Sequence, residues 1–371
     1  MVEKIGSGPA SKISGSGLCS ISAVPDPFQF AFSVEQKQNQ GEDAEPILSV
    51  SFLRDQGNVA VFDGMGGAGS AVYTNNGVTR TGAYIAARLA SEVVRSFFAN
   101  PTGEPYFTNV GFEPTAQILV RRLEEAFKAE VSRLEAAPSR LGGKMIRQLP
   151  TTMAGLTYKI RDDATGAAQY SVYWAGDSRA YCLSPINGLE QLTKDDIKSE
   201  GDALQNLLDD SPISNCINAD SPFTIHVRND ICPLPVIFLV ATDGCFNFNP
   251  TPAHLEYVLL DALMDSASST EWCSSVRHRL HVVAGDDLSM ALVALGWSDF
   301  AHLKADHIRR HDSVRETFIR PIDDIDAHLI ELTTQQQATV AKRNHLRTEL
   351  WEQYRKTYER FRCAEWDANR P

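Results

Sequence analysis

The alternation of apolar and polar positions divides the chain before any other property is considered. Residues 1–27 are rich in Gly and Ser, show no apolar periodicity and end in Pro25-Asp26-Pro27, which predicts a flexible N-terminal arm. Residues 28–34 (FQFAFSV) alternate with period two, as a half-buried strand does. A polar loop comes next, and 47–53 and 58–62 read as further strands, the latter running straight into Asp63-Gly64-Met65-Gly66-Gly67. Residues 82–98 and 115–134 place apolar side chains at helical spacing. Strand patterns return at 153–160, 170–175 and 178–183, with a tight Gly176-Asp177 turn between the last two. Residues 195–222 lack strong periodicity and predict a mobile insertion. The apolar run 236–241 meets Thr242-Asp243-Gly244; helices are expected near 253–265 and 272–283, then a last strand at 288–295 directly after Gly285-Asp286-Asp287.

After residue 298 the pattern is helical. Arg320-Pro321 can open a helix, because proline is tolerated at the first helical position. Apolar residues recur at 325, 329 and 332 and again at 346, 350, 354, 358 and 361, around a polar gap at 333–337. One long helix and a helical hairpin both fit. The aromatics Trp351, Tyr354, Tyr358, Phe361 and Trp366 read most simply as a face packed on the body or on a partner helix, so a protein partner or a dimer through the C-terminal helices stays open. The division expected is an arm at 1–27, a catalytic-sized body at 28–297 and a helical extension at 298–371.

Composition narrows the function classes. The 371 residues carry 35 basic and 47 acidic side chains, a net charge of −12. The extension holds 13 of each sign, so the whole excess lies in residues 1–297. An acidic body argues against nucleic acid as a partner. No apolar run approaches the ~20 residues of a membrane span. The seven cysteines are scattered without C-x-x-C, which reads as reduced thiols, and no apolar leader segment stands at the N-terminus; a cytoplasmic location is expected. All nine histidines lie at or after His226, so chemistry in the first 225 residues must use oxygen groups. His278 and His281 read as solvated helix residues rather than a ligand pair, and Cys245 as a small buried filler rather than a redox thiol.

The informative feature is aspartate at strand ends. Asp63 ends one apolar strand, Asp243 ends another, Asp286 precedes a third, Asp177 sits in a strand–strand turn and Asp43 in the loop after the first strand. An ionised carboxylate beside a buried strand is costly unless compensated. No matching set of Arg or His stands beside these residues in sequence. Hard divalent cations would compensate several at once, and an all-oxygen shell suits Mg²⁺ or Mn²⁺. Two such ions can share a water, lower its pKa and hold a phosphate, with no protein nucleophile needed. The glycine-rich DGMGGAGS lacks the lysine of a nucleotide loop and reads as a tight turn where backbone packs on backbone.

In order, the chain shows Glu42-Asp43-Ala44, Val61-Phe62-Asp63-Gly64-Met65-Gly66-Gly67, Thr151-Thr152, Ala175-Gly176-Asp177-Ser178-Arg179, Leu192-Thr193-Lys194-Asp195, Ala241-Thr242-Asp243-Gly244 and Asp286-Asp287-Leu288-Ser289. Residues 28–297 thereby resemble the metal-dependent protein serine/threonine phosphatases (the PPM, or protein phosphatase type 2C, family), in their bacterial branch. The resemblance implies an α+β fold, a four-layer α-β-β-α sandwich of two antiparallel sheets flanked by helices. It implies two Mn²⁺ or Mg²⁺ ions held by Asp63, the Gly64 carbonyl, Asp243 and Asp286, with Glu42 and Asp43 acting through water. Asp63, Asp243 and Asp286 would then be the catalytic residues, and a water or hydroxide bridging the ions would attack phosphoserine or phosphothreonine of a kinase substrate protein. Three departures from the family pattern stand out. Its phosphate-binding Arg is replaced by Gln38, with Lys37 beside it as a point charge. Asn247 replaces an Asp that serves a third ion with Asp177, which leaves that ion open. Met65 stands where some relatives carry an acid histidine. A phosphoprotein-binding pseudophosphatase and a phosphatase for a small phosphomonoester are the alternatives.

Overall fold

The computed structural model describes residues 25–37, 40–75, 78–99, 115–136, 148–161, 166–198, 202–208 and 212–360. Gln38, Phe361, Trp366 and nearly all of the predicted arm lie outside them. One five-stranded antiparallel sheet runs in the order β1 (Phe28–Val34), β13 (Leu288–Leu295), β12 (Val236–Ala241), β9 (Arg179–Ser184) and β10 (Gly188–Gln191). A second runs β11 (His226–Pro233), β8 (Ala167–Ala175), β7 (Thr151–Ile160), β3 (Gln56–Gly64) and β2 (Ile47–Val50). A small third sheet pairs β5 (Val78–Thr81), β4 (Val72–Asn75) and β6 (Glu135–Ala136).

The apolar runs are continuous because the strands are covered on both faces. In β3, Val59 and Val61 meet Phe238, Val240, Ala291 and Val293 of the other sheet, while Ala60 and Phe62 point outward to helices. In β12, Ile237 and Leu239 take the outer side and Phe238 and Val240 the inner one. The outer layer on the β3 side is α1 (Gly82–Phe97) and α2 (Thr115–Arg133), through Ala86, Ala90, Val94, Leu119, Leu123 and Phe127. The small residues of α1 let it lie close against the strands. On the β12 side α4 (Pro252–Asp265) and α5 (Ser269–Val283) supply Leu259, Leu263, Trp272, Val276 and Leu280. The result is the expected four-layer α-β-β-α sandwich.

The described residues of the 195–222 stretch are more ordered than its weak periodicity predicts. They hold a short helix α3 (Ala203–Leu208), Ile217 is fully buried, and its backbone bridges Thr151 at the end of β7. Asp196 ties this segment down by accepting from the Gly176 amide at 3.0 Å and from Asn215 Nδ2 at 2.6 Å. At the C-terminus α6 (Phe300–Val314) packs on the body through Leu303, His307 and Val314, all fully buried. Arg310 forks onto the buried Glu256 of α4 at 2.6 and 2.9 Å. Residues Arg315–Ile319 wind one π-helical stretch, and α7 (Arg320–Tyr358) continues as one 39-residue helix, not a hairpin. No residue of α7 is buried, so Trp351, Tyr354 and Tyr358 do not pack on the body.

Candidate active site

The strand-end aspartates converge at one end of the sandwich. Asp63 finishes β3, Asp243 and Gly244 open a short 3-10 turn after β12, and Asp177 sits in the turn between β8 and β9. Asp43 lies in the buried loop leading to β2, and Asp286 directly precedes β13. Asp63 feels the like charge of Asp243, Asp43, Asp177 and Asp286 together. Burial first, and those neighbours second, hold its carboxyl well above the ordinary carboxylate range. Burial likewise raises Asp43 to about 7, with Asp287 and Asp243 adding to the shift. Asp177 rises to about 8 through burial and the charge of Asp243 and Asp195. Asp243 rises to about 6 through burial and Asp286, with Asn247 working the other way. Burial also raises Glu42 and Asp286.

A second set of residues holds these carboxylates in place. Thr242 Oγ1 donates to Asp43 Oδ2 at 3.0 Å and accepts from the Ser289 amide at 2.9 Å. Thr81 caps α1 by accepting from the Tyr84 amide, and its hydroxyl donates to Glu42 Oε1 at 2.5 Å. Arg88 donates to the Glu42 carbonyl at 3.2 Å and lies over the Tyr84 ring. Asp287 accepts from the Gln36 and Glu42 amides at 2.8 and 2.6 Å, which fixes the loop after β1 against the start of β13. Asn247 Nδ2 donates to Asp243 Oδ2 at 3.0 Å, so the residue that departs from the family pattern orients a site carboxylate. The glycine-rich stretch is a backbone-on-backbone turn: a Cβ at Gly64 would sit 2.8 Å from the Ala83 carbonyl oxygen.

Ser178 is fully buried and hydrogen-bonded to Thr152 Oγ1 at 2.7 Å, a structural arrangement. Arg179 forks onto Asp195 at 3.0 and 2.6 Å, both side chains almost wholly buried. Cys245 is buried with its thiol pushed up by burial and by Asp43 and Asp243, so it is a filler. His278 and His281 lie exposed on α5. Beside the carboxylates opens a cleft of about 480 Å³ whose rim carries Lys37, Arg80, Tyr84, Asp286 and Asp287. Sequence reasoning placed Lys37 here but missed Arg80, Thr81 and Asp287. Asp287 stood beside a named residue; Arg80 and Thr81 stood on β5, whose four residues carry no apolar pattern.

Solved structures share this architecture. A serine/threonine phosphatase of Mycobacterium tuberculosis, PstP/Ppp, superposes with a TM-score of 0.50 at 15% identity, covering 73% of this chain and 99% of that one. The serine/threonine phosphatase Stp1 of Staphylococcus aureus does so with a TM-score of 0.50 at 13% identity, covering 77% and 100%. The fold is that of the bacterial serine/threonine phosphatases. No protein-family model matches the chain, and no curated protein sequence does.

The donors of the carboxylate cluster bear on whether it suits divalent cations. They are oxygen atoms throughout, and Asp177 Oδ1 is buried without a hydrogen-bond partner. An acceptor oxygen in that position is what a hard cation takes. Among the described residues no three His, Cys, Asp or Glu side chains close on one point. The carboxylates instead act on one another as like charges, as Asp243, Asp43, Asp177 and Asp286 do on Asp63. The donor set fits Mn²⁺ or Mg²⁺ by chemistry and charge.

Proposed function

We propose that this chain is a metal-dependent phosphatase that hydrolyses phosphoserine and phosphothreonine in proteins. The observation that carries the reading is the concentration of Asp63, Asp243, Asp177 and Asp43 at one end of a serine/threonine phosphatase fold, each held above its ordinary pKa. Asp63, the Gly64 carbonyl, Asp243 and Asp286 would hold two Mn²⁺ or Mg²⁺ ions, with Glu42, Asp43 and Asp177 alongside. Bound there, such ions supply Lewis-acid polarisation of a phosphoryl oxygen and a water acidified to near neutrality.

The chain's own residues do the rest. Lys37 and Arg80, on the rim of the cleft, are the cations that meet the incoming phosphate. Lys37 offers a point charge; Arg80 offers the planar fork that Gln38 cannot. Asp287 fixes the loop that carries Lys37 and Glu42 by accepting two of its amides. Thr242, Thr81 and Asn247 aim Asp43, Glu42 and Asp243.

The test is hydrolysis of a phosphothreonine peptide and of an aryl phosphate by the full chain, with Mn²⁺ and with chelator. Turnover with Mn²⁺ that disappears in Asp63→Asn is the expected result. Peptide binding without turnover would favour the pseudophosphatase. Turnover of nucleotides or sugar phosphates but not phosphopeptides would move the substrate to small molecules.

A further inference from the structure

Helix α7 leaves one apolar side uncovered. Ile325, Leu329, Leu332, Leu346, Leu350 and Tyr354 are each at least 46% exposed. They recur at steps of three and four around the polar middle, so they share one side of the helix. A stripe of this width is what a second helix covers in a coiled coil. Charge along the helix is uneven in a way that selects the second helix. Residues 320–338 carry Arg320 against Asp323, Asp324, Asp326 and Glu331, a net −3. Residues 339–358 carry Lys342, Arg343, Arg347, Arg355 and Lys356 against Glu349 and Glu352, a net +3.

We propose that α7 pairs with the α7 of a second copy of this chain, antiparallel, as a two-helix coiled coil. Turned end for end about residues 337 and 338, Ile325 and Leu329 of one copy come opposite Leu350 and Leu346 of the other. Gln336 then meets Thr339, Arg343 lies against Leu332, and Asp326 comes beside Arg347. Each acidic half runs along a basic half. Parallel pairing does the reverse: Arg343 faces Arg343 within the seam, and like-charged halves lie side by side, which electrostatic complementarity disfavours. With 39 residues α7 is about 58 Å long, so the two catalytic bodies stand at opposite ends of a rod.

Sedimentation of the full chain is expected to give about twice the single-chain mass of 40.9 kDa. A single-chain mass overturns the proposal. Reversing the acidic half (Asp323→Lys with Asp324→Lys and Asp326→Lys) is expected to return the mass to one chain with the body still folded, since no residue of α7 is buried. Adding Lys342→Glu, Arg343→Glu and Arg347→Glu to that variant is expected to restore the dimer. Differently tagged, the doubly reversed chain should pair with itself and not with the unaltered chain, because antiparallel mixing sets like charges together. Free mixing of the two, or a dimer indifferent to reversal in α7, overturns the arrangement.

Discussion

Asp63 is strained by its company. It lies in the field of Asp243, Asp43, Asp177 and Asp286. Asp63→Asn is therefore expected to act in opposite directions on two measurements. Mn²⁺-dependent hydrolysis should be lost, while the melting temperature in chelator should rise, because one of the mutually repelling carboxylates is gone. Residues that only aim a carboxylate should behave differently. Thr242→Val removes the hydroxyl that donates to Asp43 and is expected to lower Mn²⁺-dependent turnover about 10–100-fold, much of it recoverable by raising the Mn²⁺ concentration. Gly244 has no room to change: an added Cβ would overlap the Asp287 carbonyl oxygen. Gly244→Ala should displace Asp287, and with it the loop carrying Glu42; slower turnover and a lower melting temperature would both report it. The aspartates of this site were legible in the sequence because a charge at the end of an apolar run needs compensation. Thr81 was not, because a capping threonine on a short, exposed strand has no signature apart from its position in space.

At the scale of elements, the strands with the clearest reading were those buried on both faces. The runs at 236–241 and 288–295 appear in the structure with those bounds, since every residue in them is buried. The strand at 28–34 was also placed to the residue by its alternation. Missed were β4, β5, β6, β10 and β11. The first four have two to four residues each, too few for a period to show. Most of β11 is exposed along an edge of its sheet, so it lacks an apolar face. The stretch 195–222 misled in another way: its order comes from side chains such as Asp196 and Asn215 bonding to backbone and to one another, which hydropathy does not record. Helix α6 offers a prediction at this scale. Arg310→Ala would leave Glu256 buried without its partner and should destabilise the body by about 3–5 kcal/mol in a denaturant titration. Truncation after residue 319, which removes a helix with no buried residue, should shift the midpoint less than Arg310→Ala does.

For the whole molecule, the net charge of −12 is best understood through where it is spent. Asp43, Asp177 and Asp243 keep their protons to about 7, about 8 and about 6 in the folded chain. The same groups release them near pH 4 when unfolded. Between those limits the folded state binds more protons than the unfolded one, so stability is greatest at the acidic end and falls as pH rises through the window. In chelator, the melting temperature should drop from about pH 5 to about pH 8. Mn²⁺ should raise it most at the alkaline end, where the carboxylates are ionised and free to bind; a Mn²⁺ effect that fades toward alkaline pH would contradict this account. The fold class was legible through the ordered aspartate and glycine motifs and the resemblance they carry, while the apolar runs placed individual strands. The assignment of sheet partners was not, since β1 pairs with β13 across the length of the body.

That pairing bears on how the molecule comes into being. Gln36 and Glu42 are held by Asp287, 251 and 245 residues away in the chain. On a ribosome adding about 5–20 residues each second, the loop emerges roughly 12–50 s before the residue that fixes it. Glu42, Asp43 and Asp63 must wait over that interval with their counterparts still unmade, and β1 must wait for its neighbour in the sheet. The nascent chain therefore lacks the completed cleft until its last strand has been delivered. A truncated translation product that stops short of β13 is thus expected to be inert in the phosphopeptide assay, whatever the full chain does there.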